Sequence, residues 1–328
     1  MAGKKKKQQD KRSEIALREG VVTRSTGTYC TVTTPQGEAI ECVVRGKFRI
    51  AGLSSTNPVA VGDQVRFQPP GDAEQEPGVV REILPRKNYM LRRAITHTRK
   101  AHILAANLDQ AILLFTLSEP ATSTGFADRF LVVAEAYHIP AVVVVNKIDL
   151  LGSPEDQQEL QALTELYERI GYPVIRISAL DPAYHSQVSA LLQHKVSFIG
   201  GHSGSGKSGL LNMIDPRPKL RTGEISGYSQ KGTHTTTHAQ MFALTGGGYI
   251  IDSPGIKELG LTGFEREELS HFFPEMRRRM ADCRFSNCSH VHEPGCAVRA
   301  ALEQGEVAAS RYQSYLSMLA DIDEAQAY

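Results

Sequence analysis

At 328 residues the chain is long enough for two or three domains. Its 41% hydrophobic and 22% charged residues are ordinary globular usage, which excludes a wholly disordered chain and a coiled coil, and no apolar run approaches the roughly 20 residues of a membrane-spanning helix. The net charge of +1 is a cancellation: residues 1–100 carry 19 Lys and Arg against 10 Asp and Glu, net +9, and the remainder is net −8. A basic first third points to a polyanionic partner, nucleic acid foremost. The lysines at 4–7 are not followed by the apolar stretch of a signal peptide, so a cytoplasmic protein with no membrane attachment is expected.

Residues 1–13 are Lys- and Gln-rich without periodicity and read as a disordered basic arm. Between 20 and 90, five short β-prone runs at 21–22, 29–33, 39–44, 64–67 and 79–83 are separated by Gly and Pro turns. That spacing suits a small barrel of the oligonucleotide/oligosaccharide-binding (OB) type. From about 105 the pattern becomes strand alternating with helix, the signature of a doubly wound α/β sheet. Strands are expected at 109–116, 141–145, 173–178 and 196–199, and helices at 126–138, 155–170 (stopped by Gly171), 188–194 and from Lys207. A polar loop of about 20 residues, a hairpin at 240–244 and 249–251, and a Cys/His-rich tail ending in helices complete the chain.

Gly201-His202-Ser203-Gly204-Ser205-Gly206-Lys207-Ser208 matches the phosphate-binding P-loop and lies between an expected strand and helix. The glycines let backbone N–H groups converge on phosphates at a helix N-terminus, Lys207 supplies a point charge, and the Ser208 hydroxyl suits magnesium. Asn146-Lys147-Ile148-Asp149 follows the buried strand 141–145. There Asp149 can accept from the N1–H and N2 amino group of guanine, and adenine offers neither donor. Asn146 would help fix the base, the Lys147 stem would cover the loop or ring, and Ser178-Ala179 resembles the segment that meets the guanine carbonyl. Asp252-Ser253-Pro254-Gly255 ends the second hairpin strand, with Asp252 suited to magnesium and the Gly255 N–H to the γ-phosphate. Cys283-x4-Cys288-x-His290-x5-Cys296 places three thiols and an imidazole within 14 residues, a closed tetrahedral set for one structural zinc, with His292 as a competing ligand. Cys30 and Cys42 are expected only to pack in the barrel.

These pieces describe a GTP-hydrolysing site in an unusual order, base motif before P-loop, as if an ordinary GTPase had been cut between its halves and its old ends rejoined. In that order, with the 232–238 loop Gly-Thr-His-Thr-Thr-Thr-His and the cluster at 283–296, nearly the whole chain resembles the RsgA (YjeQ) family of circularly permuted GTPases, bacterial factors of small-ribosomal-subunit biogenesis. The resemblance implies a basic arm (1–13), an OB-fold RNA-binding domain (14–95), a circularly permuted P-loop GTPase domain (96–262) and an α-helical zinc-binding domain (263–328). It further implies a monomer that binds GTP and GDP, the small subunit and its rRNA, and assists late maturation with subunit-stimulated hydrolysis before dissociating. Ile256 stands where GTPases often place a water-orienting glutamine, so that task falls to His234, whose neutral imidazole can accept from water. Thr236 is the expected switch threonine on magnesium, with Thr235 and Thr237 as alternatives. Gly209 departs from the family, where a second serine is common.

Overall fold

The computed structural model describes residues 16–44, 59–71, 76–93, 101–215, 240–252 and 264–326. Strands β1 (Arg18–Ser25), β2 (Tyr29–Thr33), β3 (Ala39–Val44), β4 (Gln64–Gln68) and β5 (Gly78–Ile83) follow the order β1-β2-β3-β5-β4 and close by pairing β4 with β1. Only the β3/β5 pair is parallel, and the result is an OB-fold barrel. Its interior is built from the inward residues of each strand, among them Val22, Val32, Ile40, Val65, Phe67 and Val80. Cys30 and Cys42 stand directly opposite one another in this core. Burial pushes their thiols up to about 12 and about 11, so they pack there as small apolar groups.

A two-stranded ribbon, β6 (Tyr89–Arg93) with β7 (Ala101–Ala106), follows the barrel and has no counterpart in the expected elements. It buries Met90, Leu91, Ile103 and Leu104, so the alternation that marks a half-exposed strand is missing. The barrel turn at Val61 bridges to Ala105 in β7.

The second sheet contains β8 (Gln110–Phe115), β9 (Ala141–Val145), β10 (Val174–Arg176), β11 (Val196–Gly200), β12 (Gln240–Ala243) and β13 (Tyr249–Asp252) in the order β10-β9-β8-β11-β13-β12. All pairs are parallel except β12/β13. Its residues sort by parity. Leu113, Phe115, Val143, Val145 and Phe198 face helices α1 (Thr124–Ala136) and α2 (Pro154–Ile170). Ile112, Leu114, Val142, Val144 and Ile199 face α3 (His185–Leu192) and α4 (Lys207–Ile214). Both faces are covered, which explains the unbroken apolar run 141–145. Helix α2 begins with a Ser153/Asp156 capping box and Pro154, and stops at Gly171 in the left-handed region. Residue Arg24 of β1 pairs with Gln240 of β12, so the barrel and this sheet form one continuous surface of eleven strands.

The C-terminal unit contains α5 (Pro274–Arg277), α6 (Ala297–Glu303) and α7 (Ala309–Gln326). Its core of Phe264, Leu269, Phe273, Met276, Tyr315 and Leu319 also receives Val132 from α1. No helix among the described residues is long and apolar enough to cross a membrane.

Candidate functional site

The parallel strands deliver the chemical motifs to one edge. The P-loop leaves the carboxyl end of β11, residues 146–149 that of β9, residues 178–179 follow β10, and Asp252 ends β13. Ligands of open α/β sheets sit at this edge.

Asn146 ties three of these segments together. It is 2% exposed, its Nδ2 donates to the Ser205 carbonyl at 2.9 Å, and its Oδ1 accepts from the Ala179 N–H at 2.9 Å. Two glycines let neighbours approach the loop closely, Asn146 at one and Pro120 at the other. Gly206 has φ +96°, and a Cβ there would fall 2.1 Å from Asn146 Nδ2. Gly204 has φ +85°, and its Cβ would meet Pro120 Cδ at 2.9 Å. The Lys207 ammonium lies across the loop and donates to the carbonyls of Gly201 (2.7 Å) and His202 (2.8 Å). Lys207 and Ser208 begin α4, whose N-terminus opens onto the loop. Ser203 and Gly204 are exposed. Ser205 is fully buried, and its Oγ has no hydrogen-bond partner among the described residues.

Lys147 adopts the left-handed conformation (φ +64°), and its ammonium donates to the Glu119 carbonyl. Asp149 sits exposed in a 3-10 turn, and no group among the described residues partners its carboxylate. Ser178 is buried two residues beyond β10, and its hydroxyl accepts from the Leu180 N–H at 3.3 Å. Gly209 faces Ala179, which a Cβ there would meet at 3.4 Å. His234, Thr235, Thr236, Thr237, Ile256 and Gly255 lie outside the described residues, and of Asp252 only its place at the end of β13 is described.

Cys283, Cys288, His290 and Cys296 converge so that their ligand atoms all lie within 4.8 Å of one another, a cluster that could hold a metal ion. His290 is buried with Nδ1 at 3.7 Å from the Cys283 sulfur and 3.5 Å from the Cys296 sulfur, whereas His292 is exposed. Burial, reinforced by the sulfurs of Cys296 and Cys283, pushes the Cys288 thiol up to about 12. Three sulfurs and one imidazole nitrogen drawn this close together are the donor set of a bound metal.

Sequence reasoning missed the residues that support this cluster. The Glu293 carboxylate accepts from the N–H groups of Ser289, Val291 and His292 and from the Ser289 hydroxyl, at 2.6 to 3.2 Å. Burial opposes its ionisation, but the Ser289 hydroxyl and these backbone donors outweigh that and hold the carboxyl far below the usual range. Hydroxyls of Tyr312 and Tyr315 donate to the carbonyls of His290 and Ser289, each at 2.7 Å. An acidic residue lying between two ligands was the available signal.

Known proteins are similar to this chain in sequence and fold. The RsgA GTPase family model matches residues 83–262 and the RsgA N-terminal domain model residues 19–79. Small ribosomal subunit biogenesis GTPase RsgA 2 of Bacteroides thetaiotaomicron is 48% identical over 307 residues, covering 93% of this chain and 97% of the relative. The crystal structure of YjeQ from Thermotoga maritima superposes with a TM-score of 0.73 at 37% identity, covering 93% of this chain and 98% of that one. YloQ, described as a circularly permuted GTPase, gives 0.71 at 30% identity over 96% and 98%.

Proposed function

The chain belongs to the RsgA family of GTPases, and from that premise we propose that it is a cytoplasmic monomer that binds the small ribosomal subunit and its rRNA, assists late maturation, hydrolyses GTP with subunit-stimulated turnover and then dissociates. The observation that carries the reading is Asn146, whose amide joins the phosphate loop to the base motif and to residues 178–179. We divide the chain at 13/14, 95/96 and 262/263.

In this reading the N–H groups of 201–206 and the Lys207 ammonium hold the phosphates. Asp149 accepts from the guanine N1–H and N2 amino group, with Asn146, Lys147, Ser178 and Ala179 shaping the base pocket. Ser208, Thr236 and Asp252 hold magnesium, which when bound neutralises charge on the β- and γ-phosphate oxygens. His234 accepts a hydrogen bond from the attacking water, and the Gly255 N–H bonds the γ-phosphate. Cys283, Cys288, His290 and Cys296 would hold zinc, which with four protein ligands would serve a structural role. The basic arm and barrel bind phosphate backbone.

The test is GTP turnover measured alone and with small subunits, large subunits and free RNA. Stimulation by small subunits is expected; equal turnover in all four conditions overturns the reading. His234→Ala is expected to lose the stimulated turnover while retaining nucleotide binding, and undiminished stimulated turnover removes His234 from its role.

A further inference from the structure

Between β8 and α1 the seven residues 116–122 close on themselves. The Thr122 N–H donates to the Thr116 carbonyl at 2.7 Å, the Thr116 N–H to Thr122 Oγ1 at 3.1 Å, and the Thr116 hydroxyl to the Pro120 carbonyl at 2.6 Å. Both threonines are buried, so their hydroxyls must find protein partners, and they find them inside the loop. The shape of the segment is thus set by its own hydrogen bonds before any neighbour is considered.

Its outer edge touches both halves of the nucleotide site. The Pro120 ring is seated on Gly204 of the P-loop, so close that a Cβ on that glycine would overlap it. One residue earlier, the Glu119 carbonyl accepts from the Lys147 ammonium. Consecutive residues therefore hold the phosphate loop and the base motif. The following helix extends the support. Phe126 lies against the His202 ring with centroids 4.1 Å apart, and Phe130 fills the space beside Gly200. A lysine stem is among the most freely rotating side chains, and tying its end to a preset carbonyl removes that freedom before a ligand arrives.

We propose that the 116–122 loop is a positioning element of the nucleotide site, with Pro120 setting the P-loop at Gly204 and the Glu119 carbonyl setting Lys147, so that the phosphate and base ends of a guanine nucleotide meet groups already at the correct separation. This rests on the reading of 201–208 and 146–149 as the nucleotide site. Thr116 acts through Pro120 and is a positioning residue, not a catalytic one.

The experiment uses the full chain and measures GDP dissociation, the KM and kcat for GTP, and thermal unfolding without nucleotide. Thr116→Val deletes the hydroxyl at nearly constant volume, Thr116→Ser restores it, and Pro120→Gly removes the ring by a separate route. For Thr116→Val and for Pro120→Gly, GDP dissociation and KM are expected to rise about tenfold, the worth of one buried hydrogen bond or contact, with kcat within about twofold. Thr116→Ser is expected to recover most of the loss. Wild-type dissociation and KM in both variants, with or without a fall in melting temperature, overturn the proposal, as does a Thr116→Ser variant no better than Thr116→Val. Failure of the unaltered chain to bind GDP would instead overturn the assignment of the site itself.

Discussion

Arg311 of α7 donates from Nη1 to Asp128 Oδ1 of α1 at 2.8 Å, with both side chains buried and the two residues 183 positions apart in the chain. Glu275 completes the site by accepting from Arg311 Nε at 2.6 Å and Nη2 at 3.2 Å, and the guanidinium lies 4.7 Å from the Phe273 ring centroid. Burial works against the Arg311 charge, and the two carboxylates more than offset it. Tyr167 of α2 adds its hydroxyl to Asp128 at 3.1 Å. The C-terminal unit is therefore fastened to the helix whose first turns touch the P-loop. Arg311→Ala leaves two buried carboxylates without their cation and is expected to cost about 3–5 kcal/mol in denaturant titration. A loss below about 1 kcal/mol would contradict the arrangement.

Asn146→Ala removes two buried hydrogen bonds and leaves the Ser205 carbonyl and Ala179 N–H without them. At about 1–3 kcal/mol for each group so abandoned, GTP affinity should fall at least about tenfold. Equilibrium titration with GTP checks this, and affinity within about twofold of wild type would show that the three segments hold together without the amide.

Ser205→Ala should act in the opposite direction on stability. The hydroxyl is fully buried without a hydrogen-bond partner among the described residues, so deleting it removes a desolvation cost and breaks no bond among them. Unfolding free energy is expected to stay level or rise by up to about 1 kcal/mol. A clear decrease would mean that the hydroxyl has a partner after all.

Glu293→Gln halves the acceptor set that organises residues 289–292. Metal is expected to transfer to a competing chelator at about 10–100-fold lower chelator concentration than for the unaltered chain. Identical competition curves would assign Glu293 to loop geometry alone.

Deletion of residues 1–13 should weaken small-subunit binding more at low salt than at high salt, because the lysine arm acts through screened charge. GTP affinity measured in parallel should barely change. Equal losses at both ionic strengths would point to a contact other than an electrostatic one.

Much of the fold was legible because period and punctuation are local. The five barrel strands, the buried run 141–145 and the end of α2 at Gly171 each follow from residues within a few positions. Helix α3 was expected at 188–194 and lies at His185–Leu192, because Asp181 and Pro182 start a turn that feeds directly into it, while Gln193 leaves the helix in extended conformation. The ribbon β6/β7 escaped notice because both its faces are covered by other parts of the molecule.

The chemistry proposed for the site rests on the sequence alone: the 201–208 loop, residues 146–149 and the Cys/His cluster are defined by residue type and spacing, since each is proposed to present particular atoms to a ligand. Tertiary structure decided what supports them. Pro120 under Gly204, Asn146 between two loops, Arg311 against Asp128 and Glu293 beneath the Cys/His turn are pairings across chain separations or local folds that no periodicity encodes. A buried charge or amide reads in sequence like any surface residue, and only packing shows which partner makes its burial tolerable.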